Sequence, residues 1–365
     1  MHDLKSRIHV RRFVEDDNKN LTDLARSIGV PARIQLGVDR SPKFSTFSQL
    51  LSDRWDILVA EENHNIIGFM DMSHVRLRLE NKVIPVTYVS LTGVQAKRRG
   101  SAVFFRLLEE GEKLARASGS IIVTALININ NSRLDRILAK RYKGYLRGEK
   151  IVISCIPLGP RYRVDKNFYY DCATEQDLSE ITLLVRKEYS SYTMSSVIKD
   201  VLLTQYPNFE PKNILVARNH DGKIVASLGL WDQRSFKSIR IIDYKRPEHF
   251  LKILLNMSRY FTGFTRIPDA GDNLNLLHSL YTAAAEGWEN GFSGLVRFAC
   301  NMFAHRNYHF LLLALPESSH LSTACHKLWR ITNVNVPIII PLNRKGQELT
   351  HAKRIRRLYF EYALT

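Results

Sequence analysis

Residues 95–102 read Gln-Ala-Lys-Arg-Arg-Gly-Ser-Ala, and their types and spacing can do chemistry. Lys97, Arg98 and Arg99 supply positive charge. Gly100 lets the backbone come close to a ligand. Ser101 and Ala102 are small, so they leave the first N–H groups of a following helix uncovered. Those donors, the helix dipole and the three cations make an anion site that fits a pyrophosphate. The flanking elements must hold this turn in place. Residues 83–94 are β-branched and apolar with Tyr88 in the middle, which predicts a strand. After the turn, Val103, Phe104, Leu107, Leu108, Gly111, Leu114 and Ala115 fall at three- and four-residue steps and predict one apolar helix face. Gly119 stops the helix. Residues 121–126 predict a second buried strand. Two such strands joined through a helix must run parallel.

The pattern Lys97-x-x-Gly100-x-Ala102, set between a strand and an amphipathic helix, resembles the acetyl-CoA pyrophosphate loop of the GNAT acyltransferase superfamily. The family's loop has Gln or Arg where this chain has Lys97. The resemblance implies an acyl-CoA co-substrate (acetyl-CoA or another acyl-CoA) with its pantetheine arm between the strands at 86–93 and 121–127. It implies cofactor contacts from Val94, Lys97, Arg98, Arg99, Gly100, Ser101, Ala102, Leu126 and Asn131. It also implies that a backbone N–H near 89–94 polarises the thioester carbonyl. The helix at 133–142, led by Asn131 and followed by Gly144-Tyr145, resembles the family's next motif. Many members place a tyrosine four residues before that glycine, as general acid to the CoA thiolate. Lys140 stands there, with Tyr142 nearby. Tyr88, Glu61 and Tyr142 are the candidate catalytic groups. Glu62, Asp71 and the chain's C-terminal carboxylate are further candidate bases.

A chain of 365 residues exceeds one ordinary core, so two domains are expected. No run of eighteen apolar residues predicts a membrane span, and the first residues do not resemble a signal peptide. The four cysteines are widely spaced without a C-x-x-C pair, which reads as reduced thiols in a cytoplasmic protein. The histidines show no ligand spacing, and no metal is expected. The net charge of +17 fits an anionic partner, either nucleic acid or a membrane surface.

The order in the first half is strand, helix, strand, strand, strand, helix, strand. Residues 7–14 open as a strand, 16–28 form a helix, and a hairpin spans 56–78. Residues 29–53 read as irregular with a short helix near 47–51, and 30–50 is a candidate substrate lid. Residues 158–167 read as a linker. The second half repeats this outline. A strand lies at 168–173 and a capped helix begins at 174–177. A hairpin turns at 219–222, a central strand covers 274–284, a helix covers 293–307, and strands follow at 309–315 and 359–364. Its turn, at 285–294, carries two acids and no basic residue, so it would repel a pyrophosphate. Residues 230–233 are a candidate cleft feature, and the simpler reading is a strand end that packs Trp231 into the core.

The expected fold is therefore α/β with mixed, largely antiparallel sheets. It comprises an N-terminal GNAT domain over 1–160, a linker over 161–167 and a degenerate GNAT-like domain over 168–365. The expected activity is acetyl transfer from acetyl-CoA to a primary amine of a small molecule or peptide. The alternative is a non-catalytic acyl-CoA sensor or a protein that binds nucleic acid or aminoacyl-tRNA.

Overall fold

The computed structural model describes residues 8–29, 34–198, 206–263, 265–351, 357–359 and 361–364. In the first half, β1 (His9–Arg12) leads into α1 (Asn18–Ser27), β2 (Ile34–Asp39) and α2 (Thr46–Leu51). A three-strand meander follows, of β3 (Trp55–Glu62), β4 (Asn65–Leu79) and β5 (Lys82–Val94). Then come α3 (Val103–Ala117), β6 (Ile122–Asn128), α4 (Ser132–Arg141), β7 (Leu146–Arg147) and β8 (Ile151–Pro157). Helix α1 turns Leu21, Leu24 and Ala25 onto Phe69 and Val59 on one face of the sheet. Helix α3 buries Val103 and Leu107 against Met70 and Met72 on the opposite face. Alternation along β4 separates the two sets, because successive side chains of a strand point to opposite faces.

The second half runs β9 (Tyr169–Cys172), α5 (Leu178–Ser190), β10 (Met194–Ser196), β11 (Ile214–Arg218), β12 (Ile224–Trp231), β13 (Ser238–Tyr244), α6 (Arg246–Thr262), β14 (Asn273–Leu274) and β15 (Leu276–Ala284). It continues through α7 (Glu289–Phe303), β16 (Phe310–Pro316), β17 (Ile331–Pro341), α8 (Arg344–His351) and β18 (Leu358–Tyr359). Trp231 is fully buried at the end of β12, where Tyr206, Phe209 and Phe236 surround it.

One sheet spans both halves in the order β1-β3-β4-β5-β6-β17-β8-β16-β15-β12-β11-β9. Read from either edge, the pattern is the same. Three antiparallel pairs are followed by a parallel pair, β5–β6 in one half and β15–β16 in the other. The middle is an exchange. Strand β17 of the second half inserts between β6 and β8 of the first, while β8 of the first half pairs with β16 of the second. Each half's sheet is thus completed by the other.

Two expectations change here. The segment at 359–364 is not one closing strand; β18 joins the main sheet as a side branch through β10, which pairs with β4, and residues 362–364 form a single 3-10 turn. The segment at 30–50 is not a lid. From residue 34 onward it is built into the molecule: β2 pairs with β13 of the second half, and Arg40, Phe44 and Phe47 are buried. Residues 30–33 lie outside the described residues. Among the described residues, no helix is long and apolar enough to cross a membrane.

Candidate functional site

The site begins with a fault in the ladder. Strand β4 pairs Asp71 with Leu91 but Met72 with Val89, so Ser90 is one residue too many and β5 bulges. On its other edge β5 pairs with β6 from Val86↔Ile122 to Val89↔Ala125. Past that point β5 runs on to Val94 paired only with β4, and β6 runs on to Asn128 paired with β17. The two parallel strands therefore split just after Val89. The backbone groups of β5 that face the split have no ladder partner on β6.

The turn lies at the mouth of this split. Ala96–Arg98 is one 3-10 turn, and Gly100 takes φ +88°, a conformation open to glycine but strained for other residues. Ala102 precedes α3 and gives it no side-chain cap, and Ser101 Oγ accepts from Val103 N at a long 3.4 Å. The turn is solvent-exposed, as an anion site must be before its ligand arrives. Arg98 is ion-paired with Glu62, and Arg99 reaches the carbonyl of Gly29. A fourth cation joins them. Arg133, on the first turn of α4, has its Nη2 3.5 Å from where a Cβ on Gly100 would stand. Sequence spacing gives no sign of this, because α4 reaches the turn only through the tertiary fold. Asn131 uses its Oδ1 to cap α4 at Leu134 N (3.3 Å), so that oxygen serves the helix.

At the closed end of the split, on the α3–α4 face, a narrow apolar cleft is lined by Met70, Met72, Val89, Gly111, Val123 and Tyr142, with a cavity volume of about 30 Å³. Tyr142 ends α4, half-buried beside Glu112. Burial pushes its phenol above the ordinary tyrosine range. It therefore keeps its proton at neutral pH and can donate it. Lys140, at the position the family motif gives to tyrosine, is exposed.

Residues 36–126 match the family model described as an acetyltransferase (GNAT) domain. Over that stretch the chain is similar to this domain. No curated protein matches it in sequence. Among solved structures, it is similar to the GCN5-related N-acetyltransferase of Sphaerobacter thermophilus, with TM-score 0.63 and 13% identity over 93% of this chain and 98% of that one. It is similar to Saccharomyces cerevisiae N-myristoyltransferase with bound myristoyl-CoA, with TM-score 0.60 and 10% identity over 93% of this chain and 84% of that one. It is also similar to a GCN5-related glucosamine N-acetyltransferase region of a fungal multi-domain β-N-acetylglucosaminidase, with TM-score 0.62 and 12% identity. There it covers 91% of this chain but only 38% of the fungal one. At these identities the likeness is one of fold.

On the α1–α2 face of the split lies a buried charged cluster. Asp71 is fully buried and accepts hydrogen bonds from Arg40, from Ser48 (2.7 Å) and from the bulge residue Ser90 (2.6 Å). Arg40 lies against the rings of Phe44 and Phe47, and Lys237 approaches Phe47 from the second half with Nζ 4.4 Å from the ring centre. Burial, with Arg40 adding to it, pulls Lys237 down to about 7. Asp71 is thus tied to the split through Ser90. It serves to position that residue, because its oxygens accept from Arg40, Ser48 and Ser90.

Two expected catalytic groups change role. Glu61 sits at the hairpin end of β3 and accepts from Arg11 Nε at 2.9 Å, which ties β1 to β3. Its register places it past Gly68↔Val94, at the pyrophosphate end of the split rather than the acyl end. Tyr88 is 2% exposed and packed among Leu77, Val86, Ile122 and Ile339, so its ring fills the core. Glu62 faces Arg98 in an ion pair. The C-terminal residue, Thr365, lies outside the described residues. Val94 and Leu126 line opposite strands of the split.

The second half repeats the geometry of the split and fills it with its own atoms. Its parallel pairing ends at His278↔Leu312, and Tyr281, with φ 52°, marks the matching irregularity in β15. Here Glu361, from the C-terminal segment, accepts the Tyr281 N–H at 2.9 Å. A carboxyl group of the chain thus takes the β15 backbone donor at this irregularity. Burial pushes Glu361 up to about 8. At the turn, Gly287 has φ +83°, but its N–H is taken by Glu289 Oε1 at 3.2 Å. An acid at that helix start repels phosphate.

Proposed function

We propose that the chain is an acyl-CoA-dependent N-acyltransferase that moves an acetyl group from acetyl-CoA to a primary amine, with CoA bound by the first half. One observation carries the reading. The split after Val89, the glycine turn with its four nearby cations, and the protonated Tyr142 at the closed end fall along one line of the first half, and the second half has its equivalents filled. The pyrophosphate would take the start of α3. The pantetheine amide would replace the missing ladder partners of β5. A small apolar cleft suits a short acyl group better than a long chain. The neutral amine then attacks the thioester carbon, a β5 backbone N–H past Val89 steadies the oxyanion, and the C–S bond breaks as the thiolate takes the Tyr142 proton; the proton given up by the attacking nitrogen leaves to solvent, and solvent returns one to Tyr142. Four free cysteines fit a cytoplasmic setting.

The test is release of CoA thiol on mixing the protein with acetyl-CoA and a panel of amines that includes glucosamine, a peptide N-terminus and lysine. Turnover with at least one amine is expected. With Tyr142→Phe, kcat falls about 100-fold while the affinity for acetyl-CoA is kept, as for loss of a general acid. Tight acetyl-CoA binding without turnover of any amine would favour the sensor reading. That reading gains its support from Asp71, whose oxygens are already engaged by Arg40, Ser48 and Ser90.

A further inference from the structure

Helix α6 packs with its polarity reversed. Apart from Leu255, the side chains it turns inward are polar. Lys252 is buried and bound to Asp269, and Asn256 exchanges two hydrogen bonds with the backbone of Ile267, at 3.0 and 2.7 Å. Its outward stripe is apolar. Phe250 is 63% exposed, Met257 65%, Tyr260 78% and Phe261 94%, with Ile253 and Leu254 between them. Their spacing of three and four residues puts them on one side of a cylinder about 25 Å long. Scattered exposed apolar residues are ordinary on a protein surface, whereas a continuous stripe of this size marks an interaction surface.

The surrounding charge identifies the partner. Lys245 and Arg246 are exposed at the first turn of α6. At the other end, a Cβ on Gly263 would sit 3.2 Å from the carbonyl of Gly159, which brings in the linker with its exposed Arg161 and Arg163. Arg259 lies over the Tyr260 ring, 4.8 Å from its centre. The apolar stripe is therefore bracketed by cations at both ends, on a chain of net charge +17. A second copy docked on this face would bring these cations against their own kind. An anionic bilayer surface accepts both features at once: the stripe enters the acyl boundary and the cations meet the headgroups.

We propose that α6 lies in the plane of an anionic lipid surface and holds the protein there. The test uses the full chain and two vesicle types, phosphatidylcholine alone and phosphatidylcholine with phosphatidylserine. The protein is expected to float with the phosphatidylserine vesicles and to remain in solution with the neutral ones, and raised salt weakens the binding. The triple variant Phe250→Glu, Met257→Glu, Phe261→Glu changes only exposed positions. It is expected to keep the wild-type melting temperature and to lose about 100-fold or more in vesicle partitioning. Lys245→Glu with Arg246→Glu should weaken binding to anionic vesicles only. The proposal is overturned if the wild type stays in solution with phosphatidylserine vesicles, or if the triple variant floats as well as the wild type. A wild-type dimer in analytical ultracentrifugation that ignores vesicles and dissociates in the triple variant would also overturn it, in favour of a self-association face.

Discussion

Gly100→Glu tests the anion site against its own internal control. At φ +88° a non-glycine residue is strained by about 1–2 kcal/mol. Apart from Arg133 Nη2 at 3.5 Å, no atom crowds the new Cβ, so the fold should survive. A carboxylate at this turn would face a bound pyrophosphate, and a separation of about 6 Å sets the scale of their repulsion. At an effective dielectric of about 20, one pair of unit charges at that distance repels by about 3 kcal/mol, and salt screening lowers this to about 2. The glutamate would also compete for Arg133 and Lys97. Calorimetric titration with acetyl-CoA should therefore show Kd rising about 30- to 150-fold. Gly287→Glu is the control. Gly287 has the same backbone sign, at φ +83°, and open space around its Cβ. It carries the same strain, so the melting temperature should fall by a similar amount while Kd stays unchanged. Equal loss of affinity in the two variants, or none in Gly100→Glu, would refute the assignment of the turn.

Further outcomes follow from the same geometry. Tyr142 is held above the ordinary tyrosine range by burial, so the alkaline limb of the kcat profile should lie above pH 10 and should vanish in Tyr142→Phe, which a pH–rate series would show. Glu361, raised to about 8 in the fold, favours the native state most below pH 4.5, and this contribution is lost as pH rises through about 8. Glu361→Gln can still accept the Tyr281 N–H, so it should match the wild type at pH 5 and melt a few degrees higher at pH 9. Arg40→Ala leaves Asp71 buried without its cation and should cost about 3–5 kcal/mol in urea denaturation, whereas the double variant with Asp71→Asn should recover part of that loss.

The stretch at 83–127 was legible because its signals are local. Turn chemistry, helix spacing and a stop glycine all fall within one strand-helix-strand unit. Strand β17 was not, since Pro337 and Pro341 argue against a central strand. The fold tolerates Pro337 at Leu126, where its carbonyl still accepts from Gly148 N at 2.7 Å. The merging of two sheets through β17 and β8 is a choice between partners of equal local quality, and no periodicity reports it. Arg40 looked like a loop residue because its partner Asp71 lies across the fold and is brought to it only by the packing of α2 on β4. Glu61 looked free because its pairing with Arg11 depends on the β1–β3 register. The apolar spacing of α6 would read as a core face in any sequence; only the structure shows that it points outward.

The central claim is that the first split is a live acyl-CoA site while the second is filled by the chain itself. Hydrogen exchange with and without acetyl-CoA tests it directly, peptide by peptide. The account predicts new protection at 90–94 and 101–106 and none at 279–292. No protection at the first split, or equal protection at both, would contradict it.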